Sequence, residues 1–336
     1  ILELFFELFE QNVHNFKILE LVQEINKYEY NLLHCAAAFS KSKEVVEFLW
    51  MKIETLFEDK EELKKFLLMK GDNGRNALLV SIAQQNENSF YFLFEEVFCK
   101  YFNIKEFAYE SDDYGENLLH FLARIGSVSM LKFALEKLKN EFSPEDLQNF
   151  IKLKNKNGEN LLHCAAKKKK KEKSFEFLVN FIEKEVSNEE FKHMLSKPSN
   201  FKVLPLHLAF NYNNLKVFEL FFSLYEQNFD KRQILQLMHE NDKNGDNLFH
   251  CAAAFSESKE VVVFFWMNLE ELIENKEELK KFLLVKGRYG RNALLLSIAQ
   301  QNENTFYFLF EQVYCKYFNI EEFTYESDEN GDNILH

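Results

Sequence analysis

Apolar residues recur along this chain at the spacing of an α-helix. The stretch from Lys43 to Phe57 is an example, because its apolar residues fall on one side of a helix: Val45, Val46, Leu49, Ile53, Leu56 and Phe57. A shorter, almost wholly apolar stretch from Asn31 to Phe39 precedes it, and a polar turn separates the two. The pattern predicts a short buried helix followed by a longer amphipathic helix.

This pair of helices belongs to a repeated unit. The string Asn-Leu-Leu-His-Cys-Ala-Ala begins at Asn31 and at Asn160, and a copy with Phe begins at Asn247. Weaker copies begin at Asn76, Asn117, Leu204, Asn292 and Asn333, so the motif returns about every 43 residues. The spacing predicts one array over residues 1–336, with repeats starting near residues 28, 73, 114, 157, 201, 244, 289 and 330.

A longer duplication lies on top of the short repeat. Residues 1–120 align without a gap with residues 217–336, and 81 of the 120 positions are identical. A block of five repeats is therefore present twice. Such a duplication is tolerated when each repeat contacts only its neighbours. The chain has no initial Met and ends inside a motif, so we expect it to be a fragment of a longer array.

Each repeat also carries a signal for a third helix. An N-cap residue follows the motif Asn by 26–28 positions, and an acidic residue or Gln stands three residues after it. The predicted N-caps are Asp59, Asn103, Ser143, Ser187, Asp230, Asn275 and Asn319. Ser143 is also followed by Pro144, which suits the first helical position.

Composition supports an all-α fold. The chain has only 9 Gly and 3 Pro in 336 residues, too few for the frequent turns of a β-sandwich or barrel. Six of the nine glycines stand two residues before the motif Asn, where a tight turn needs a positive φ: Gly74, Gly115, Gly158, Gly245, Gly290 and Gly331. We predict an α-solenoid of stacked helical repeats.

The turn and first helix resemble the ankyrin repeat. The stretch from Leu204 to Ala209 reads Leu-Pro-Leu-His-Leu-Ala and differs from the ankyrin pattern T-P-L-H-x-A only at its first position. By this resemblance the motif histidines would hydrogen-bond the backbone and neighbouring loops: His34, His120, His163, His207 and His250. The period and the third helix depart from that family, so armadillo-like three-helix repeats are the alternative architecture.

Charge and cysteine usage restrict the partners and the compartment. The net charge is −13, the opposite of what binding to a nucleic-acid backbone requires. The five cysteines form no CxxC motif, and most have apolar neighbours. We interpret them as small buried hydrophobes of a cytoplasmic, reducing compartment. Apolar runs are too short for a membrane span.

No catalytic, cofactor or metal site is predicted. The pairs His34-Cys35, His163-Cys164 and His250-Cys251 lie on separate repeats, whereas zinc needs four converging ligands. Because the Cys-His pair recurs in several repeats, it is typical of a framework and not of a single nucleophile with its base. Phenylalanines such as Phe90, Phe94 and Phe98 could stack bases, but core packing is the preferred interpretation.

The candidate binding surface is the set of inter-repeat turns. Framework positions persist between repeats while the intervening positions change, and Tyr and Arg among the latter are typical of binding hot spots. The candidate partner-binding residues are Asp72, Asn73, Arg75, Asp113, Tyr114, Glu116, Lys156, Glu159, Lys243, Asp246, Arg288, Tyr289 and Arg291. Drift at a tolerant surface is the alternative explanation.

A lysine run is the second candidate. The run either forms a solvated turn between helices or binds an acidic partner or phosphate; it consists of Lys167, Lys168, Lys169, Lys170 and Lys171.

Together these features predict a non-enzymatic scaffold that binds a protein partner through the concave face of an ankyrin-like array. The alternatives are a targeting or structural array of a larger effector, toxin or enzyme, and an array that associates with itself.

Overall fold

A computed structural model describes residues 6–8, 11–40, 42–167, 172–211, 215–255 and 259–336. Those residues are helical, with turns between the helices and without any β-strand, which confirms the all-α prediction. Two isolated bridges, Gly71 with Arg75 and Ser111 with Asn117, close individual turns. The chain forms two compact units, Ile1–Lys156 and Asn157–His336.

Three helices build each complete repeat, as the sequence predicts. An additional helix, Asn15–Gln23, precedes them. The first helices are Leu32–Phe39, Ala77–Ala83, Leu118–Ile125, Leu161–Ala166, Pro205–Asn211, Leu248–Phe255 and Ala293–Ala299. The third helices are Lys60–Leu67, Ile104–Ala108, Pro144–Ile151, Asn188–Ser196, Lys231–His239, Lys276–Leu283 and Ile320–Thr324.

The second helices are longer and of two kinds. Five are regular α-helices: Lys43–Leu56, Val128–Glu141, Glu172–Glu185, Leu215–Asn228 and Lys259–Leu272. The other two contain a π-helical middle, and they occupy positions related by the duplication. One runs through Glu87–Phe92, Leu93–Phe98 and Cys99–Tyr101, and the other through Glu303–Tyr307, Phe308–Tyr314 and Cys315–Tyr317.

The third helices begin where the capping signals place them. All seven predicted N-cap residues occupy the N-cap position. Asn103, Ser187 and Asp230 form the full reciprocal capping box with the residue three positions later. These local bonds satisfy N–H groups that a helix start otherwise leaves without a partner. The third helix therefore begins at a defined residue.

Within each unit, repeats pack in sequence order. In the first unit, Leu32–Phe39 packs against Ala77–Ala83, which in turn packs against Leu118–Ile125. In the second unit, the first helices from Leu161–Ala166 to Ala293–Ala299 pack in the same successive manner. Apolar side chains between them are removed from water, and Phe90, Phe94 and Phe98 are fully buried. The interpretation of these phenylalanines as core residues is confirmed.

Candidate functional site

The turn before each first helix has one recurring geometry. In the turn from Asp112 to Glu116, the Asp112 N–H donates to the Glu116 carbonyl and the Gly115 N–H donates to the Asp112 carbonyl, both at 3.0 Å. The Asp112 carboxylate also accepts from the N–H groups of Tyr114 and Glu116 at 2.9 Å. The turn therefore satisfies its own backbone and leaves the side chain at its tip outside the network. We call the residue three positions before the motif Asn, here Tyr114, the turn tip.

The residue after each turn tip adopts a left-handed backbone conformation. The six glycines in this slot have φ between 68° and 89°. Glu29 and Lys202 fill the slot in the remaining two repeats, with φ of 58°. At Gly158 there is also a packing constraint, because a Cβ atom would lie 2.4 Å from the Asn200 side chain. The predicted role of glycine in the turns is confirmed.

Successive turns are joined by main-chain hydrogen bonds. In the first unit, the Asp113 N–H donates to the carbonyl of Asn73 and the Lys156 N–H to the carbonyl of Tyr114, each at 2.9 Å. In the second unit the same bond joins Asn200 to Asn157, Lys243 to Phe201 and Glu329 to Tyr289. Because backbone atoms make these links, the side chains at the turn tips can differ without breaking the stack.

In three repeats, those of His34, His163 and His250, the motif histidine links the repeat to the next one. The His163 Nε2 lies 2.9 Å from the Val203 carbonyl oxygen, which can only accept, so Nε2 carries a hydrogen and donates to it, while Nδ1 lies 3.2 Å from the Asn160 nitrogen and 2.7 Å from its Oδ1. His250 makes the same bridge, from the Asn247 N–H to the Val285 carbonyl. His34 reaches the Arg75 carbonyl at 3.0 Å. These contacts are the ones that the ankyrin resemblance implies for the motif histidine.

Burial keeps these histidines neutral. Desolvation lowers the pKa of His34 and of His250 and lowers the pKa of His207 to about 4. The motif Asn caps the first helix, which also carries the motif histidine: the Asn160 side chain accepts from the His163 N–H at 3.1 Å. The neutral Nε2–H donor is therefore maintained at physiological pH, which the bridge to the next repeat requires.

The predicted binding residues fall into three groups by exposure. Five are exposed on the turns: Asp113, Tyr114, Lys156, Lys243 and Tyr289. Five are half-buried: Asp72, Asn73, Arg75, Arg288 and Arg291. The remaining three, Glu116, Glu159 and Asp246, have buried side chains and do not lie on the exposed turn surface.

Ion pairs account for the three buried acids. Glu116 pairs with Arg124 at 2.5 Å, and Glu159 pairs with Lys167 at 2.7 Å, so each acid holds the end of its own first helix. Asp246 pairs instead with Arg288 of the next repeat. These side chains belong to the framework. All three stand directly before the motif Asn, so comparing this position across the repeats would have separated them from their exposed neighbours.

The change from Asp72 to Arg288 between the duplicated blocks has a partner. Tyr30 occupies the position equivalent to Asp246, so the blocks contain either Tyr with Asp or Asp with Arg. Tyr30 stacks on His34, with ring centroids 5.6 Å apart. The two positions lie on successive turns, and in the second block they form the ion pair of Asp246 with Arg288.

The lysine run is described only at its start. The Lys167 ammonium is engaged by Glu159. Lys168, Lys169, Lys170 and Lys171 lie outside the described residues.

The cysteines differ in burial. Cys164 and Cys251 are buried, as predicted, whereas Cys35 and Cys99 are half-buried. The prediction is wrong for Cys315, which is exposed: residues Lys137 and Glu141 of the next second helix lie near its equivalent Cys99, and no second helix follows Ile320–Thr324 in the described ranges. Burial raises the pKa of Cys99 to about 11 and raises that of Cys251, so neither thiol is ionised at neutral pH.

A polar cavity adjoins the turns of the second unit. It has a volume of about 1030 Å³ and is lined by the loop after Asn188–Ser196 and by the helix Lys231–His239. Lys202, which follows the tip Phe201, lies at the edge of this cavity.

Two tips that sequence analysis did not single out, Tyr28 and Phe201, are exposed like Tyr114 and Tyr289. Comparing the tip position across all repeats would have found them.

Compared with known proteins, the chain matches no protein-family model and no curated protein sequence. None of the helices in the described ranges combines the length and apolarity that crossing a membrane demands. What the chain does is therefore inferred from its own residues.

Proposed function

We propose that this chain is a non-enzymatic scaffold that binds a partner protein through the turns and adjoining first helices of an ankyrin-like α-solenoid. One observation carries the proposal. Backbone atoms and buried side chains make most of the bonds that close and stack the turns, with an added contact from Lys156 to the Asp113 carbonyl, while the exposed tip side chain of Tyr289 takes no part in that closure. A surface built in this way can change its side chains to suit a partner.

The histidine bridge favours ankyrin-like over armadillo-like stacking. His163 and His250 each join the start of their own first helix to the turn of the next repeat. Such a contact supports ankyrin-like stacking, and the additional third helix accounts for the longer repeat. A reducing compartment, such as the cytoplasm, suits five cysteines that form no CxxC motif.

Site-specific photo-crosslinking tests the scaffold role. A photoreactive phenylalanine analogue is placed at Tyr114 or Tyr289, and at Lys65 or Lys281 as controls on exposed third helices. The full chain is then irradiated in an extract of its source cells. We expect one protein to crosslink from both turn positions and from neither control. Crosslinking from all four positions alike, or from none, would reject the proposal.

A further inference from the structure

A glutamate, a lysine and a tyrosine join two second helices of the first unit. Glu54 accepts a hydrogen bond from the Lys100 ammonium at 2.6 Å and a second one from the Tyr101 hydroxyl. The Tyr101 ring also packs edge-on against Trp50, with ring centroids 5.9 Å apart. The lysine therefore neutralises the glutamate, and the tyrosine ring occupies the space beside it.

The duplicated junction of the second unit has the same arrangement. Glu270 accepts from the Lys316 ammonium and from the Tyr317 hydroxyl. The Tyr317 ring packs edge-on against Trp266, with ring centroids 5.8 Å apart. We call these two places, with their glutamate, lysine and tyrosine, the reference junctions. They show which chemical groups fit beside a glutamate at this position of the repeat.

The junction of Leu215–Asn228 with Lys259–Leu272 retains the glutamate. These second helices belong to successive repeats of the second unit and pack against each other. Helix Leu215–Asn228 and helix Lys43–Leu56 both have 14 residues, and Glu226 is the twelfth residue of the first as Glu54 is of the second. Glu226 is therefore the equivalent of the glutamate that binds a lysine and a tyrosine at the reference junctions.

The lysine and the tyrosine are replaced at this junction. The adjoining helices align at their ends through Phe102 and Ile273, whose N–H groups each donate to the carbonyl four residues earlier at 2.9 Å. The two residues before Phe102 are the lysine and tyrosine of the first reference junction, and the two before Ile273 are Glu271 and Leu272. A carboxylate thus replaces the ammonium, and a leucine replaces the tyrosine ring.

A cavity of about 230 Å³ lies at this junction. It is lined by Glu226, Glu271 and Leu272, the equivalents of the three residues of a reference junction. Its apolar wall includes Phe229 and Phe222, and Phe222 is only 2% exposed. Pockets for drug-sized ligands measure about 300–1,000 Å³, so this cavity suits one side chain or a similarly small molecule.

The charge around the cavity is negative. Among the residues that the structure describes, neither Glu226 nor Glu271 forms an ion pair. Lys231 also lines the cavity, but its ammonium pairs with Glu274 at 3.2 Å, so these two residues together add no net charge. Two carboxylates therefore line an apolar cavity, and the cation that accompanies the glutamate at each reference junction is missing from the described part of this one.

The duplicated block has a lysine at the equivalent junction. By sequence, Glu226, Asn268 and Glu271 correspond to Glu10, Lys52 and Thr55. The first copy therefore combines one acid with one lysine, whereas the second copy has two acids and an asparagine. The excess of negative charge is specific to the second copy.

We propose that this cavity binds an organic ammonium, a cationic nitrogen carried on a small apolar or aromatic body. The nitrogen binds Glu226 and Glu271, because hydrogen bonds between charged groups are the strong ones. The body packs against Phe222 and Phe229, whose ring faces attract positive charge, and takes the place of the tyrosine ring. A free amine and a lysine side chain of a protein share this chemistry. The site lies between second helices, so it goes beyond the binding proposed for the turns.

Saturation-transfer NMR on the full chain tests the site with two probes. Tyramine represents a free amine, and a blocked tripeptide with a central lysine represents a protein side chain. We expect the parent to bind at least one probe, and Glu226→Gln with Glu271→Gln to bind it at least about tenfold more weakly. The control, Glu176→Gln with Glu183→Gln, removes two exposed carboxylates from another second helix and should bind like the parent. The probe that binds more tightly identifies the source of the ammonium.

A second variant fills the cavity from within the chain. Glu271→Lys with Leu272→Tyr recreates the lysine and tyrosine of the reference junctions beside Glu226. We expect this variant to lose the probe and to melt at a higher temperature than the parent. Thermal melts also verify that the other variants are folded.

Three results would overturn the inference. These are no binding of either probe, unchanged binding in the variants at Glu226 and Glu271, or equal binding of tyramine and para-ethylphenol, which has the same ring without the ammonium. Crosslinking at the turns tests the scaffold function separately, so that function stands or falls independently of these results.

Discussion

The Asp246 carboxylate holds the backbone and the side chain of Arg288 together. It accepts from the Arg288 N–H at 2.8 Å and forms an ion pair with its guanidinium. Asp246 is fully buried, and its carboxylate would lie 2.4 Å from a Cβ atom at position 287, so glycine is required there. This contact joins two successive turns of the second unit where the usual backbone bond is replaced by a side chain.

Exchanging the whole pair for its duplicated equivalent should destabilise the chain less than exchanging Arg288 alone. Arg288→Asp alone places a second carboxylate against buried Asp246, and we expect a loss of about 3–5 kcal/mol in unfolding free energy. Adding Asp246→Tyr reproduces the Tyr30 and Asp72 pair of the first unit, and at least half of the loss should be recovered. Urea denaturation of the two variants and the parent measures both effects. Additive losses in the double variant would show that the residues are not coupled.

Glycines of the turns should differ in their tolerance of alanine. A Cβ atom at Gly245 would meet nothing closer than 3.7 Å, so Gly245→Ala adds only left-handed backbone strain, about 1 kcal/mol. At Gly158 the same change also meets the Asn200 backbone nitrogen at 2.9 Å. Urea denaturation should show at least twice the destabilisation for Gly158→Ala. Equal losses would mean that the second contact relaxes without cost.

Lys202, which occupies the left-handed position that is glycine in most repeats, allows the opposite change, from a side chain to glycine. Lys202 has φ of 58° and stands where six other repeats have glycine. Lys202→Gly should therefore stabilise the second unit by up to about 1 kcal/mol. A destabilised variant would indicate that the lysine side chain contributes contacts that outweigh its backbone strain.

Buried histidines should make the fold sensitive to acid. The pKa of His207 is about 4 in the folded chain and about 6.5 in an unfolded one, so between these values the unfolded state binds more protons. The stabilisation is thus complete above pH 6.5 and is lost as the pH falls towards 4, amounting to about 2 kcal/mol between pH 7 and pH 5.

The variant His207→Gln isolates this contribution, because an amide does not titrate. Urea denaturation from pH 7 to pH 5 should show the parent losing about 2 kcal/mol more than the variant, whatever the carboxylates contribute to both. Parallel pH profiles for the two proteins would contradict the buried, neutral state of His207.

The backbone strain at the turn tip Tyr289, where φ is 57°, should lower the free energy of unfolding. Tyr289→Asn removes a bulky side chain from the left-handed region, and we expect unfolding free energy to rise by about 1 kcal/mol. Asn73→Tyr, the reverse change at the equivalent position, should lower it by a similar amount. Thermal melts compare the two. A destabilised Tyr289→Asn would mean that the Tyr289 ring packs more tightly than its exposure indicates.

Features set by local chemistry were predictable from the sequence. An N-cap such as Ser143 bonds to the residues that directly follow it, and a turn glycine such as Gly115 is required by the positive φ at its own position. Both can therefore be found without knowledge of neighbouring repeats. The repeat itself multiplied each weak signal over several copies. For this reason the all-helical fold and the starts of the third helices were predicted in detail.

Features that depend on contact between repeats could not be predicted from the sequence. Asp246 occupies a turn position beside exposed residues, and it packs against Gly287 and pairs with Arg288 of the next turn. The exchange of Asp72 for Arg288 looked like surface variation because its partner lies about 42 residues away in sequence. The π-helical segments likewise leave no distinct mark in the pattern of apolar positions.

The most direct test of the scaffold function is the affinity for the partner that crosslinks at the turns. Isothermal titration calorimetry would compare the parent chain with a variant in which Tyr28, Tyr114, Phe201 and Tyr289 are all replaced by Asn. The scaffold account predicts binding at least about a hundredfold weaker in the variant, since aromatic residues dominate such interfaces, with a melting temperature that is not lowered. Equal affinity for the two proteins would contradict it.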